Sequence, residues 1–170
     1  MRDNPWLERR VIAYAHQGGA KEAPSSTLYA MRRALVNGAT GLELDVHATS
    51  DGQLVVCHDS TLGRTTNATG EIAGLALDEV RRRDNAYWFV PGEGATRGRP
   101  VGDYALRGRA PDDRELCVAT LSEVIEVEHH LRAQATDVVG LEQPGLCGNF
   151  GRLHDVRVFA VGEVSEKVRR

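Results

Sequence analysis

The chain has 170 residues, room for one domain with a real core, and its 41% hydrophobic and 26% charged fractions are ordinary for a soluble globular protein. A net charge of −3 gives no electrostatic case for nucleic acid, and no run approaches the ~18 apolar residues of a membrane span. The start, Met1-Arg2-Asp3-Asn4-Pro5, has no apolar signal region, and three cysteines without a spacing motif point to reduced thiols in a cytoplasmic protein.

Val11-Ile12-Ala13-Tyr14-Ala15 reads as a buried strand ending at His16. A glycine-containing loop, 17–23, follows. Pro24-Ser25-Ser26-Thr27 supplies capping residues, and Leu28, Met31, Leu35 and Val36 recur at helical spacing, so a helix is expected over 26–37, stopped by Asn37-Gly38. Gly41 to Ala48 is the second strand. Asp51-Gly52 is a turn signal, and Leu54 to Cys57 is the returning strand.

Leu77 to Arg83 reads as a short helix whose basic end is solvated. Residues 85–113 are long, irregular and rich in Gly, Pro and Arg, the character of a lid or a disordered insertion. Leu121 to Arg132 is expected to be helical. Val138 to Leu141 is expected to form a strand, and Val156 to Val161 a last one. This order is α/β, with parallel strands and crossover helices.

Glu43 and Asp45 lie two apart on the second strand, so both carboxylates share one face. Two like charges side by side are costly unless a cation lies between them, and Mg²⁺ or Ca²⁺ takes oxygen ligands of this kind. The alternative is a solvated acidic strand face. His16 and His58 each end a strand, and imidazole serves as acid or base near neutral pH. Singly each would pass for a structural histidine; beside a carboxylate pair they resemble the apparatus for cutting a phosphodiester. Asp59 follows His58 as a turn residue or an orienting group. Lys21 and Arg64 are candidate phosphate contacts or plain surface charge. His47 is assigned to the strand face opposite Glu43 and Asp45 and given no role.

The motifs His16-Gln17-Gly18-Gly19, Gly41-Leu42-Glu43-Leu44-Asp45-Val46, Val55-Val56-Cys57-His58-Asp59 and Leu62-Gly63-Arg64-Thr65-Thr66 occur in this order. With them the chain resembles the glycerophosphodiester phosphodiesterase family, as a member truncated or divergent at its C-terminal end. The resemblance implies a (β/α)₈ barrel, here a partial one, that hydrolyses glycerophosphodiesters to glycerol 3-phosphate and an alcohol with a divalent metal. It implies His16 and His58 as the acid/base pair, Glu43 and Asp45 as metal ligands, and Glu142, in Val139-Gly140-Leu141-Glu142, as the third ligand. Gln17 stands where the family usually has an arginine on the phosphate. Ser25-Ser26 stands where it usually has Glu-Asn, with Glu22 a possible substitute carboxylate.

A full barrel runs to roughly 250 residues. The expected organisation is therefore a partial barrel over 1–144, containing the insertion 85–113, and a divergent segment over 145–170. An incomplete barrel leaves edges unpaired, which favours self-association. Two other readings stay open: an inactive truncated relative, and a phosphodiesterase of lysophospholipids whose acyl chain would meet the aromatic run Asn85-Ala86-Tyr87-Trp88-Phe89-Val90.

Overall fold

The computed structural model describes residues 13–139 and 157–161. Its centre is strand β2 (Gly41–Ala48). Strand β1 (Tyr14–His16) pairs with it in parallel, with His16 opposite Glu43. Helix α1 (Leu28–Val36) connects the two, which makes a βαβ unit. Beyond a turn at 49–53, strand β3 (Leu54–Val56) folds back antiparallel on the last three residues of β2.

Helix α2 (Leu77–Arg81) follows. Strands β4 (Phe89–Val90) and β5 (Gly94–Ala95) then form a small separate hairpin. Helix α3 (Leu121–Val139) precedes β6 (Arg157–Val161), which runs parallel to β2 from Gly41 to Asp45. Strand β2 therefore has parallel partners in both β1 and β6, the start of a barrel wall. Among the described residues no helix is long and apolar enough to cross a membrane.

The strand β2 is buried by alternation. Leu42, Leu44 and Val46 face inward to a core shared with Met31 and Leu35 of α1, Val56 of β3, and Val124 and Val127 of α3. A second cluster joins Val55, Cys57, Leu62, Ile72, Val80 and Val118. Val55 and Val56 thus point to opposite faces of β3, as a strand requires.

Helix α1 starts later than its sequence pattern predicts. Thr27 is the N-cap, and its hydroxyl oxygen accepts from the Ala30 N–H at 3.1 Å. Ser26 cannot belong to the helix because its φ is +60°. The turn after β2 is built by Thr49, whose hydroxyl donates to Asp51 Oδ1 at 2.5 Å and accepts from the Gln53 N–H at 3.0 Å. That bond, opposed by some desolvation, holds the Asp51 carboxyl below its ordinary range, and the same carboxylate accepts the Leu77 N–H at the start of α2.

Two expectations are corrected here. Val138 and Val139 belong to α3 rather than to a strand, and the helix runs seven residues past Arg132, to Val139. The insertion is not structureless: it carries the β4–β5 hairpin and buries Ala86, Phe89, Val90 and Tyr104.

Leu44 has no exposed surface and lies at the middle of the central strand. Leu44→Ala is expected to lower stability by about 2–5 kcal/mol, read as a lower urea midpoint at unchanged slope.

Candidate active site

The site gathers where β1 and β3 meet the polar face of β2. His16 closes β1, and its Nε2 stands 3.8 Å from Glu43 Oε2. The chain turns at once: Gln17 adopts φ +53°, and its N–H donates to the Glu43 carbonyl at 2.9 Å and to Glu43 Oε2 at 3.2 Å. Gly18 follows at φ +79°, where a Cβ would come within 2.9 Å of Ala30 Cβ. Only glycine allows this loop to lie so close on α1. The Ser26 N–H then donates to the Gln17 carbonyl at 2.9 Å, which joins two left-handed residues across the loop.

On the other side the Cys57 N–H donates to the Asp45 carbonyl at 3.0 Å. The residue after His16 and the residue before His58 are thus both fixed to β2, at the two positions that carry the carboxylates. Burial pushes the Cys57 thiol up to about 11, so it is a core group and no nucleophile.

His58 Nδ1 lies 2.5 Å from Asp59 Oδ1, and Arg64 Nε donates to Asp59 Oδ2 at 2.9 Å. Desolvation acts to raise the Asp59 carboxyl, but the His58 hydrogen bond and the Arg64 charge together outweigh it and hold the group below its ordinary range. An ionised carboxylate only accepts, so Nδ1 of His58 carries the proton and Nε2 is the nitrogen left for proton transfer. Arg64 has therefore committed its Nε to orienting this pair.

His47 does not point away from the carboxylates. Residues 43, 45 and 47 alternate in step and share one face, and His47 Nε2 lies 3.3 Å from the His58 carbonyl oxygen, to which it can donate. The strand period alone contained this signal.

Asp45 Oδ2 is buried and has no hydrogen-bond partner among the described residues. An orphaned carboxylate oxygen beside a second carboxylate fits a hard divalent cation. Among the described residues no group of three His, Cys, Asp or Glu is arranged to hold a metal. The expected third ligand, Glu142, lies outside the described residues.

A cleft of about 810 Å³ adjoins His16, bounded by Lys21, Glu22, Arg64 and Glu93 and continuing along β1. Lys21 is exposed there. Gln17 is 4% exposed. The aromatic run is spent internally: Arg107 stacks on Tyr87, Trp88 and Tyr104 with its guanidinium carbon 4.3, 4.7 and 3.8 Å from the ring centres.

Residues 16–140 match the model of the glycerophosphoryl diester phosphodiesterase family. The chain is 40% identical over 116 residues to glycerophosphodiester phosphodiesterase 1 of Mus musculus, a match covering 68% of this chain and 30% of that protein. A glycerophosphodiester phosphodiesterase of Agrobacterium tumefaciens superposes with a TM-score of 0.53 at 26% identity, over 94% of this chain and 60% of that one. An Oleispira antarctica phosphodiesterase, solved with its product sn-glycerol-3-phosphate, shares the fold with a TM-score of 0.54 at 22% identity, over 89% of this chain and 57% of that one. The chain thus spans about a third of the curated relative and just over half of the solved structures.

The depressed Asp59 carboxyl has a consequence for acid stability. Its ionised form is favoured by folding, so its contribution is complete above the unfolded value near ~3.9 and is lost as pH falls through the lower folded value. Asp59→Asn is expected to flatten that acid limb, measured as thermal midpoint against pH for both proteins.

Proposed function

The chain belongs to the glycerophosphoryl diester phosphodiesterase family, and from that membership we propose that it hydrolyses glycerophosphodiesters to glycerol 3-phosphate and an alcohol. The observation that carries this reading is the anchoring of both histidine segments to β2, through Gln17 to Glu43 and Cys57 to Asp45. The fold shared with a phosphodiesterase that holds sn-glycerol-3-phosphate supports the substrate class.

The reaction needs two proton transfers in each half. A glycerol hydroxyl next to the phosphodiester attacks phosphorus, and one imidazole takes its proton. The bond to the departing alcohol breaks, and the other imidazole protonates that oxygen. Water then opens the cyclic phosphate with the two roles exchanged. The Asp59 carboxylate accepts from Nδ1 of His58 and so fixes its ring orientation and tautomer. His16 stands beside Glu43, its Nε2 3.8 Å from Oε2.

Glu43 and Asp45, with Glu142 as third ligand, would hold Mg²⁺ or Ca²⁺, which when bound neutralises phosphoryl charge and lowers the pKa of the attacking hydroxyl. Lys21, at the cleft, supplies a point charge for the phosphate. Arg64, whose Nε donates to Asp59, also lines the cleft, and Gln17 adds only a neutral amide. The catalytic unit is taken as residues 1–144 with the insertion 85–113 inside it, and the segment 145–170 joins it through β6, which pairs with β2. Among the described residues no further strand flanks β1, an edge at which self-association is proposed, with small-molecule glycerophosphodiesters as the substrate partners.

Phosphorus NMR of glycerophosphocholine, with Mg²⁺ or Ca²⁺ and then with chelator, is the direct test. Metal-dependent glycerol 3-phosphate is expected. His16→Ala or His58→Ala should lower turnover by about a hundredfold or more while leaving metal binding intact. Glu43→Ala or Asp45→Ala should weaken metal binding by calorimetry. Full activity in either histidine variant refutes the assignment of roles, and no turnover from folded wild-type chain favours an inactive relative.

A further inference from the structure

The insertion sends polar contacts in two directions. Toward the loop after β1, Asn85 Nδ2 donates to the Ser25 carbonyl at 3.2 Å, and the Gly92 N–H donates to the Lys21 carbonyl at 2.8 Å. Toward the loop after β3, Asn85 Oδ1 accepts from the Thr65 hydroxyl at 2.5 Å, Trp88 Nε1–H donates to the Thr66 carbonyl at 2.8 Å, and the Arg97 guanidinium donates to the Gly63 carbonyl. The first loop begins at His16. The second holds His58, Asp59 and Arg64.

Asn85 is 2% exposed, and its one amide accepts from one loop and donates to the other. The hairpin closes tightly on the first loop: a Cβ on Gly94, at φ +84°, would fall 2.8 Å from the Ala20 carbonyl oxygen. The indole that reaches Thr66 is itself gripped by two cations, with Arg97 4.5 Å and Arg107 4.7 Å from its ring centre. None of these groups is among the acid/base or metal-binding residues.

We propose that the segment 85–97 is a brace that fixes the two histidine loops relative to one another, with Asn85 as a positioning residue that acts through Ser25 and Thr65. Its kinetic consequence rests on the phosphodiesterase reading; its structural consequence does not. A brace sets the geometry in which the two imidazoles face one phosphorus, and misplacement of about 1 Å can cost about a hundredfold in rate. Its loss should therefore fall on kcat more than on KM.

The test uses the whole 170-residue chain. Asn85→Asp keeps the acceptor for Thr65 but turns an oxygen toward the Ser25 and Ser26 carbonyls. Trp88→Phe keeps a ring for the arginines and removes the donor to Thr66, and it serves if the first variant does not fold. Amide exchange by mass spectrometry is expected to quicken at least about tenfold over both 17–26 and 58–66, with the core amides of β2 unchanged. On glycerophosphocholine, kcat should fall about tenfold or more, with KM within about threefold. Wild-type exchange over 17–26 in the folded variants overturns the brace whether or not the chain turns over. Absent turnover in wild-type chain, with quickened loop exchange in the variants, upholds the brace and counts against the phosphodiesterase reading alone.

Discussion

Everything at the site depends on the register of β2. Its odd and even positions do different work: Leu42, Leu44 and Val46 are held in the core, which forces Glu43, Asp45 and His47 to the other face. A slip by one residue would bury the carboxylates and expose the leucines, so the hydrophobic core itself fixes where the acids stand. The same strand then places both histidines, because its carbonyls at Glu43 and Asp45 accept the N–H groups next to His16 and His58. Packing of the strand thereby sets where both histidine segments begin.

The two histidines are made unlike by their partners. His58 is backed by Asp59, which Arg64 holds from its other oxygen, so the ring has one orientation and one proton position. His16 is more exposed and faces Glu43 across 3.8 Å, at the edge of the carboxylate pair. The orphaned Asp45 oxygen is the complementary fact. Buried acceptors are nearly always satisfied, so one without a partner among the described residues, beside a second carboxylate, is the observation behind the proposed cation site.

Much of this was legible in the chain. The bounds of β2 follow from alternation, and the helix after the first loop follows from 3.6-residue spacing and its capping run. His47 was equally legible, since strand parity alone puts it with Glu43 and Asp45. The end of α3 was not: two adjacent valines fit a short strand as well as a helix, and a brief apolar run has no period to separate them. The role of Asp59 was half legible, because a carboxylate after a histidine can orient it, but only the fold brings Arg64 to its other oxygen.

The insertion was the least legible part, for a physical reason. Its order does not come from a hydrophobic period. It comes from arginines stacked on rings, and from side chains that reach backbone carbonyls about 20 to 60 residues away in sequence. Composition rich in Gly, Pro and Arg looks like disorder when such partners cannot be seen. With them in view the segment has the opposite character. A lid must break contacts with at least one of the loops it covers each time it opens, whereas this segment buries Asn85 between both and seats Gly94 against a carbonyl. Each buried amide bond resists opening because the partner left behind would be unsatisfied. The same contacts that hid the insertion from sequence reading therefore make it part of the fixed frame around the histidines.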